Sequence, residues 1–304
     1  MSERVGFIGL GAMGTGMARN ILQKGFALTV LANRRRVSID ALVAEGAKEV
    51  ATPREMADGC DIVVLCVTGS TEVEQIVNGR DGLASASKPL LIIDCSKSNP
   101  SQTVALAASL AERDIILVDA PLGRTPKEAA EGQLDVMVGG AAEHVERARP
   151  VISTFAGRII HTGPTGSGHT MKLLVNFVSM GYSAIYSEAL TVGAKSGLTP
   201  QVVDSVLRGS RMDCLFYQAF FDFVLNRNEN AQRFAMANAL KDMSYLASTA
   251  QAAGIANPIG AAVRNSFASA VATGHGQAFV PALSDVIAKL NGVSLHDGAK
   301  ADNG

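Results

Sequence analysis

The chain has 304 residues, which is long enough for two domains that each bury a sizeable core. Hydrophobic residues make up 47% of it and charged residues 18%, a balance too apolar for a disordered protein. The formal net charge of -1 excludes a global field that would attract nucleic acid or an anionic membrane.

The start of the chain and its cysteines favour a reducing compartment. The first four residues lead straight into an apolar strand without a secretory signal, and no apolar stretch is long enough to cross a bilayer. The cysteines are Cys60, Cys66, Cys95 and Cys214. Their spacing does not match zinc ligands, so we expect free thiols, no metal site and a cytoplasmic location.

The first predicted elements are a strand, a glycine-rich turn and a helix. The segment reads Val5-Gly6-Phe7-Ile8-Gly9-Leu10-Gly11-Ala12-Met13-Gly14. Gly9 allows the tight turn, Gly11 lets a pyrophosphate approach the backbone, and Gly14 lets helix and strand pack closely. The helix N terminus adds N–H donors and the positive end of its dipole. We therefore predict a dinucleotide-binding turn made by Gly9, Gly11, Ala12, Met13 and Gly14.

The second strand, Leu28–Leu31, is followed by Asn33 and three arginines. An NAD-binding fold usually places Asp or Glu here to accept a hydrogen bond from the ribose 2′-hydroxyl. A carboxylate would repel a 2′-phosphate, whereas Asn33 and Arg34 can donate to it and Arg36 can add a further donor. The pattern predicts that NADP(H) is preferred over NAD(H). The alternative is a solvated charge run, which fits Arg35 best.

Strand and helix patterns alternate up to residue 161. After Val5–Gly9 and Leu28–Leu31, strands are predicted at Ile62–Val67, Leu90–Asp94, Ile115–Asp119, Leu134–Val138 and Arg158–His161, and helices at Met13–Lys24, Ile39–Ala44, Ser101–Glu112 and Glu143–Phe155. Strands that are apolar throughout are typical of a parallel sheet covered on both faces. This half is predicted to be an α/β domain, a Rossmann-type doubly wound sheet with right-handed crossovers and a cofactor at its switch point.

The pattern changes at the glycine-rich loop of residues 162–168, after which strand signals disappear. A long apolar helix is predicted at Met171–Ser196, followed by helices at Gln201–Leu207, Cys214–Val224, Asn238–Ala253, Ile259–Ala272 and Val280–Leu290. We expect the long helix to form the core of an all-helical domain and to be covered by a second subunit. The predicted domains are a dinucleotide-binding domain at 1–164, a helical substrate and oligomerisation domain at 165–293, and a disordered tail at 294–304.

Charged and amide side chains within apolar helices are candidates for chemistry. Lys172 and Asn176 are four residues apart and so share one face of the long helix. A lysine in a partly desolvated cleft has a lowered pKa, which suits a general acid at neutral pH. Lys241 and Asp242 lie inside another apolar helix. Taken singly, each has an ordinary alternative, a snorkelling lysine or a solvated helix face.

Taken together, the motifs resemble the β-hydroxyacid dehydrogenases, the family that includes 3-hydroxyisobutyrate dehydrogenase and 6-phosphogluconate dehydrogenase-like enzymes. Four motifs match in order and spacing, namely the glycine-rich turn, Asp94-Cys95-Ser96, Asp119-Ala120-Pro121, and Lys172 with Asn176. The resemblance spans nearly the whole chain, from Val5 to about Leu290. It implies a nucleotide-binding domain, a helical domain, a cleft between them, and oligomers formed through the helical domain.

The resemblance also implies roles for individual residues. The family's catalytic lysine matches Lys172, its substrate-orienting asparagine matches Asn176, and a lysine-aspartate pair near the cofactor matches Lys241 and Asp242. Ser96 is expected to place the nicotinamide end of the cofactor and to contact the substrate. The backbone that flanks the cofactor is expected at Val67 and Thr68.

The chain departs from the family pattern where the anionic group of the substrate is bound. In place of Ser-Gly-Gly it has Gly123-Arg124-Thr125, which is similar to the sulfolactaldehyde reductase subgroup. Arg124 adds a charge and a donor fork, and Thr125 adds a hydroxyl, so with the Gly123 amide they suit a sulfonate, carboxylate or phosphate. Val175 replaces the first of two family asparagines, and Lys97 replaces a threonine.

The expected function is hydride transfer between NADP(H) and a small anionic aldehyde or 3-hydroxy acid, with Lys172 as general acid/base. The expected assembly is a homodimer or homotetramer, without nucleic acid or membrane. An NADPH-dependent imine reductase shares the architecture, but those enzymes usually carry Asp or Tyr in place of the lysine. A non-catalytic NADPH-binding sensor or scaffold is disfavoured by the presence together of Lys172, Asn176 and Asp242.

Overall fold

The computed structural model describes residues 3–31 and 36–296 of the chain. These residues divide into two compact units, one that ends at Lys172 and one that begins at Leu173. The division falls within a continuous helix, Ser167–Lys195. Within the described ranges, no helix combines the length and the apolar character needed to cross a membrane.

The first unit is built on one sheet. Its strands are β1 (Arg4–Ile8), β2 (Ala27–Leu31), β3 (Lys48–Val50), β4 (Ile62–Leu65), β5 (Leu90–Asp94), β6 (Ile115–Asp119), β7 (Leu122–Gly123), β8 (Leu134–Gly139) and β9 (Ala156–Gly163). The order β3-β2-β1-β4-β5-β6 is parallel throughout. The strand order extends from β1 to β3 on one side and resumes with β4 on the other, which confirms the predicted doubly wound arrangement.

The sheet is antiparallel near one edge. β8 runs antiparallel to β6 and β7, with Asp119 opposite Gly139 and Leu122 opposite Val136. β6 and β7 form one ladder along β8 that is interrupted at residues 120–121, where Pro121 has no N–H to donate. The prediction of parallel strands is therefore wrong for the pairing of β8 with β6 and β7, whereas β8 and β9 run parallel to each other as predicted.

Helices cover both faces of this sheet. They are α1 (Gly14–Gln23), α2 (Arg36–Ala44), α3 (Pro53–Gly59), α4 (Ser70–Asn78), α5 (Pro100–Ala111), α6 (Pro126–Glu131) and α7 (Ala142–Ile152). Neighbouring residues of a strand enter different cores, because Phe7 packs in a cluster with Met17 of α1 and Ile8 in a cluster with Met56 of α3. Burial on both faces explains why the central strands are apolar at every position.

Five strands and α-helices of the first unit were not predicted from the sequence: β3, β7, α3, α4 and α6. All of them except α4 contain no more than two apolar residues, so they carry little apolar pattern. Two of the helices begin at a capping residue instead. Thr52 accepts from the amide of Glu55 before α3, and Thr125 forms a capping box with Glu128 at the start of α6.

The second unit is helical. It contains most of α8 (Ser167–Lys195), followed by α9 (Pro200–Leu207), α10 (Leu215–Asn226), α11 (Met236–Ala252), α12 (Pro258–Ala270) and α13 (Leu283–Leu290). One buried cluster packs Met180 of α8 against Met243 and Phe267, and a second packs Leu190 of α8 against Phe220. The predicted all-helical architecture of this half is confirmed.

Helix α8 is not buried on every side, although most of its residues are apolar. Met180 and Leu190 are each 1% exposed and face the helical core. Val178, Ile185 and Val192 are 54%, 60% and 66% exposed, and their spacing of seven residues keeps them on one side of the helix. We call these three residues the α8 stripe.

The predicted disordered tail begins with residues that pack. Leu295 is buried in the cluster that contains Phe220, and His296 Nε2 lies 2.9 Å from Asp285 Oδ1. The prediction that disorder begins at Ser294 does not fit residues 295 and 296, because a buried leucine and a side-chain contact fix them. Residues 297–304 lie outside the described residues.

Candidate active site

The turn between β1 and α1 has the backbone geometry that a bound dinucleotide requires. Gly9 has φ +106°, and a Cβ atom there would overlap the carbonyl group of Cys66. A Cβ atom on Gly14 would overlap the carbonyl oxygen of Gly9, whereas one on Gly11 would meet nothing within 4 Å. Gly9 and Gly14 are therefore needed by the fold itself, and Gly11 leaves the backbone open to a ligand.

The N terminus of α1 is suited to an anion. Met13 precedes the helix, no side chain of the described residues caps it, and its first turn has no acidic residue. Gly11 and Ala12 just before it are exposed. Uncapped N–H groups and the positive end of the helix dipole favour a phosphate group at this position. The residues present therefore fit the pyrophosphate of NAD(P).

The residues selected to recognise a 2′-phosphate are described only in part. Asn33 and Arg34 lie outside the described residues. Arg36 begins α2, where hydrogen bonds to Glu49 and Asp40 raise the pKa of its guanidinium. Because two carboxylates already engage this group, a cofactor phosphate would compete with both of them. The contacts therefore make Arg36 a weaker candidate than its sequence position indicates.

The ends of β4 and β5 are joined through Ser96. The Val67 amide donates to Ser96 Oγ at 3.0 Å, and the Ser96 amide donates to Asp94 Oδ1 at 2.9 Å. Ser96 is 1% exposed, whereas Val67 is half-buried and Thr68 is exposed. The Ser96 hydroxyl therefore holds the Val67 amide, and its predicted contact with the substrate stays a prediction. Val67 and Thr68 are the accessible candidates for contact with the cofactor.

Asp119, at the end of β6, fixes the start of α8. Its fully buried carboxylate accepts from the amides of Gly166 at 2.6 Å and His169 at 2.8 Å. A carboxylate at a helix N terminus is stabilised by the N–H groups and by the dipole. This role could not be predicted locally, because the two amides lie 47 and 50 residues further along the chain.

Lys172 follows this capped N terminus within α8. It is half-buried, and it stands at the end of the first unit. Because α8 is one continuous helix, Lys172 and Asn176 keep the four-residue spacing that the sequence predicts for them.

Asn176, Lys241 and Asp242 come together in the second unit. Asn176 Nδ2 donates to Asp242 Oδ2 at 2.6 Å, and both side chains are buried. Lys241 Nζ lies 3.4 Å from Asp242 Oδ1. The carboxylate therefore fixes the amide of Asn176, whose oxygen and second N–H can still bind a ligand. Asn176 and the pair Lys241-Asp242 were selected separately from the sequence, and the structure places them in one cluster.

Thr125 is engaged by the local fold. Its hydroxyl donates to Glu128 Oε2 and accepts from the Lys127 amide, as the capping residue of α6. The predicted role of the Thr125 hydroxyl as a donor to the substrate is therefore in conflict with the structure, because its hydrogen is used within the helix cap.

Arg124 is half-exposed and has an unusual backbone conformation. Its φ is +76°, a left-handed value that is uncommon for a residue with a side chain. Its Nε donates to Asp135 Oδ2 at 3.0 Å, and this hydrogen bond raises the pKa of the guanidinium. The contact uses Nε, so the two terminal nitrogens can still donate to an anion. At Gly123, before it, a Cβ atom would lie 3.3 Å from Asp135 Cβ, a tight contact that a small shift of Asp135 would relieve.

Two residues of this region were not predicted from the sequence. Asp135 is a charged residue within the otherwise apolar strand β8, and that contrast was the available signal. His169 follows Gly168 at the start of an apolar helix and is itself 1% exposed. A lone buried histidine is usually structural, so the sequence offered no reason to prefer a functional role.

A doubly wound domain with a dinucleotide-binding turn, followed by a helical unit with a buried Asn-Asp-Lys cluster, defines a two-domain NAD(P)-dependent oxidoreductase. Residues 4–163 match the family model for the NAD binding domain of 6-phosphogluconate dehydrogenase, and residues 166–286 match the model for NAD-binding of NADP-dependent 3-hydroxyisobutyrate dehydrogenase. The chain belongs to the β-hydroxyacid dehydrogenase family, of the 3-hydroxyisobutyrate dehydrogenase type, and is an NAD(P)-dependent hydroxyacid dehydrogenase.

Individual relatives agree with this assignment. The 2-(hydroxymethyl)glutarate dehydrogenase of Eubacterium barkeri is 32% identical over 98% of this chain and 99% of that protein. The 3-sulfolactaldehyde reductase of Escherichia coli is 30% identical over 90% of this chain and 92% of that protein. The structure of Mycobacterium tuberculosis 3-hydroxyisobutyrate dehydrogenase with L-serine is 26% identical, with a TM-score of 0.83 over 95% of this chain and 99% of that one. The family resemblance expected from the sequence is thus confirmed.

Proposed function

We propose that this dehydrogenase interconverts a small anionic aldehyde and the corresponding 3-hydroxy acid, with NADP(H) as preferred cofactor and Lys172 as general acid/base. One observation carries the proposal. Asp119 holds the first turn of α8 at the end of β6, the same edge of the parallel sheet at which β1 leads into the glycine-rich turn. Ligands of doubly wound folds bind at this edge, at the switch point of the strand order.

The side chains then have separate tasks. Lys172 protonates the oxygen on the reacting carbon during reduction and, in its neutral form, removes that proton during oxidation. Asn176 orients the same oxygen through its amide, which Asp242 fixes by a hydrogen bond of 2.6 Å. The nicotinamide, when bound, supplies or accepts the hydride.

The anionic group of the substrate is assigned to Arg124 and the Gly123 amide. The terminal nitrogens of Arg124 form a planar donor pair that suits a carboxylate or a sulfonate. Two relatives are named for such compounds, 2-(hydroxymethyl)glutarate and 3-sulfolactaldehyde. A reductase screen over short semialdehydes, in matched carboxylate and sulfonate pairs, measures which anion is preferred. Turnover of a cyclic imine without turnover of any semialdehyde would support an imine reductase instead.

The cofactor preference rests on Asn33 and Arg34, and the family model matched by residues 166–286 is described for an NADP-dependent enzyme. The test is the ratio of kcat/KM for NADPH to that for NADH. Arg34→Glu should lower this ratio by about 100-fold, since it replaces a phosphate donor with a repelling charge. Arg35→Glu is the matched control and should leave the ratio unchanged. Equal ratios in the two variants would contradict the assignment of Arg34.

Lys172→Ala tests the chemistry. We expect kcat to fall by roughly 100-fold or more, with the Kd for NADPH unchanged, because the lysine acts on the substrate oxygen and does not hold the cofactor. Lys195→Ala is the matched control, since Lys195 is an exposed lysine at the other end of α8. If Lys172→Ala retained the turnover of this control, the lysine would not be the acid/base.

We also propose that two copies of this chain associate through the α8 stripe. Val178, Ile185 and Val192 are each more than half exposed. Removing this apolar surface from water would stabilise a dimer, and exposed apolar patches often mark such interfaces. Ile185→Asp should shift the protein towards monomers in sedimentation velocity. The exposed Glu188 provides the control, Glu188→Gln, which should not change the sedimentation coefficient. A parent protein that sediments as a monomer would contradict the proposal.

A further inference from the structure

A buried histidine in the first unit has no task in the proposed function. His169 lies near the start of α8, three residues before Lys172, and is 1% exposed. Its backbone amide donates to Asp119 Oδ2 at 2.8 Å, so the carboxylate that caps the helix also fixes the backbone at His169. The backbone position of His169 is therefore fixed, and the partners of its side chain lie in the first unit.

Both ring nitrogens of His169 have partners. Nε2 lies 3.1 Å from the carbonyl oxygen of Ser96, and Nδ1 lies 2.9 Å from Thr103 Oγ1. Because a carbonyl oxygen can only accept, Nε2 carries a hydrogen and donates it. The Thr103 hydroxyl has one hydrogen and two acceptors within reach, the Asn99 carbonyl oxygen at 3.1 Å and, when the ring is neutral, Nδ1. The imidazole thus joins the start of α8 to the loop after β5 and to helix α5.

Two buried carboxylates flank the ring but do not depend on it. Asp94 Oδ2 is 3.8 Å from Nε2, and Asp119 Oδ2 is 3.8 Å from Nδ1. Asp94 accepts from the Ser96 amide and the Ser98 hydroxyl, and Asp119 accepts from two backbone amides. Each carboxylate therefore keeps hydrogen-bond donors when His169 is replaced. A substitution of the ring removes its link to Ser96 without leaving a buried charge unpaired.

The contact with Ser96 links His169 to the residues that are proposed to flank the cofactor. Ser96 Oγ accepts the amide of Val67 at 3.0 Å. Val67 and Thr68 flank the cofactor in the proposed function, so a displacement of Ser96 would also displace the loop that they form. Through Ser96, His169 connects this loop to the part of α8 that carries Lys172.

We propose that His169 is a positioning residue of the reaction, whose Nε2 bond to Ser96 sets the distance between Lys172 and the loop of Val67 and Thr68. The proposal rests on the proposed function, in which Lys172 is the acid/base. The ring is buried, so it acts through Ser96 and does not touch the substrate. A displacement of about 1 Å between reacting groups can lower turnover on the order of 100-fold.

Two amide substitutions separate the contacts of the ring. The amide nitrogen of Gln can reach the place of Nε2 and donate to Ser96, whereas the shorter Asn reaches only the place of Nδ1, beside Thr103. We expect kcat of His169→Gln within about 3-fold of the parent and kcat of His169→Asn about 100-fold lower. The KM for NADPH should also rise in His169→Asn, because the loop of Val67 and Thr68 shifts with Ser96, and its Tm should be modestly lower, because the buried Ser96 carbonyl oxygen loses its donor. A primary deuterium isotope effect on kcat should be larger in His169→Asn, because misplaced groups slow the hydride step.

His161→Asn is the control, since His161 Nε2 also contacts a backbone carbonyl, that of Gly140 at 2.8 Å, away from the cofactor loop. Its kcat should equal that of the parent. Equal kcat values for the Gln and Asn variants of His169, or a fall in kcat that merely follows Tm, would overturn the inference. An active Lys172→Ala would overturn the proposed function. An inactive Lys172→Ala beside a fully active His169→Asn would overturn this inference alone.

Discussion

Two turns of this protein were assigned an anion from the sequence, and they differ in how the anion would be held. In the turn of residues 9–14, the glycines determine the geometry through their backbone, and no neighbour among the described residues fills the space at Gly11. In the turn of residues 123–125, the candidate donors are side chains, and Arg124 and Thr125 already contact Asp135 and Glu128. A backbone site is therefore visible in a short motif, whereas a side-chain site depends on partners elsewhere in the chain.

Of the variants in these two turns, Gly9→Ala should have the largest effect on stability and on cofactor binding. Its φ of +106° is unfavourable for any residue with a Cβ atom, and that atom would overlap the Cys66 carbonyl. We expect the free energy of unfolding to fall by about 3 kcal/mol or more and NADPH binding to be lost. Urea denaturation and fluorescence titration measure the two quantities. A stable Gly9→Ala protein would show that the turn tolerates another conformation.

Gly11→Ala should leave the fold intact and weaken only the ligand. A Cβ atom here meets no protein atom within 4 Å, so the Tm should not change. The same atom would occupy the space that the pyrophosphate needs, and we expect the Kd for NADPH to rise by about 10- to 100-fold, which is roughly 1.4 to 2.7 kcal/mol. An unchanged Kd would place the cofactor elsewhere and remove the main contrast between the two turns.

The same distinction explains how much of the fold could be predicted. The strands that are buried on both faces and the long helices carry strong local patterns, and their predicted ranges differ from the structure mainly at the ends. Short elements such as α3 and α6 contain few apolar residues and are defined by capping at Thr52 and Thr125. The antiparallel direction of β8 also has no local signal, because a buried strand is apolar in either direction.

For the candidate site, the sequence identified residues but not their contacts. Asn176 and Asp242 were both selected, yet their hydrogen bond joins positions 66 residues apart. Arg36 was assigned to a phosphate from its place after the second strand, whereas its partner Glu49 lies on a different element, β3, and only Asp40 is near it in the sequence. The capping of α8 by Asp119 is equally long-range. Contacts between distant segments depend on the tertiary fold, so a single sequence could not supply them.

Arg124→Ala tests whether a side chain of the second turn binds the anionic group of the substrate. If the terminal nitrogens of Arg124 hold the substrate anion, KM for an anionic semialdehyde should rise by about 10-fold, with kcat little changed, because the contact is equal in ground and transition states. Steady-state kinetics at fixed NADPH measures both constants. Loss of kcat with constant KM would instead indicate a role in the chemical step.

Asp135→Asn is the companion variant, since it keeps the shape of the side chain and removes the charge that competes for Arg124. We expect KM for the same substrate to fall by up to about 5-fold, the scale of an exposed ion pair. A rise in KM would mean that Asp135 orients Arg124 more than it competes with the substrate.

Thr125→Ala should have the smallest effect and gives the clearest division between a structural and a binding hydroxyl. Loss of the cap should lower the free energy of unfolding by about 1 kcal/mol, and Thr125→Ser should restore it.

The hydrogen bond from Thr125 holds the pKa of Glu128 below its ordinary value. The bond therefore stabilises the fold above the unfolded pKa of Glu128, and this stabilisation is lost as the pH falls through the lower pKa of the folded state. The difference in stability between parent and Thr125→Ala should therefore shrink in acid, as measured by urea denaturation. KM for the anionic substrate should stay constant, because the hydroxyl hydrogen is used by Glu128. A rise in KM as large as that of Arg124→Ala would show that the hydroxyl leaves the cap to bind substrate, and the two turns would then differ less than their contacts indicate.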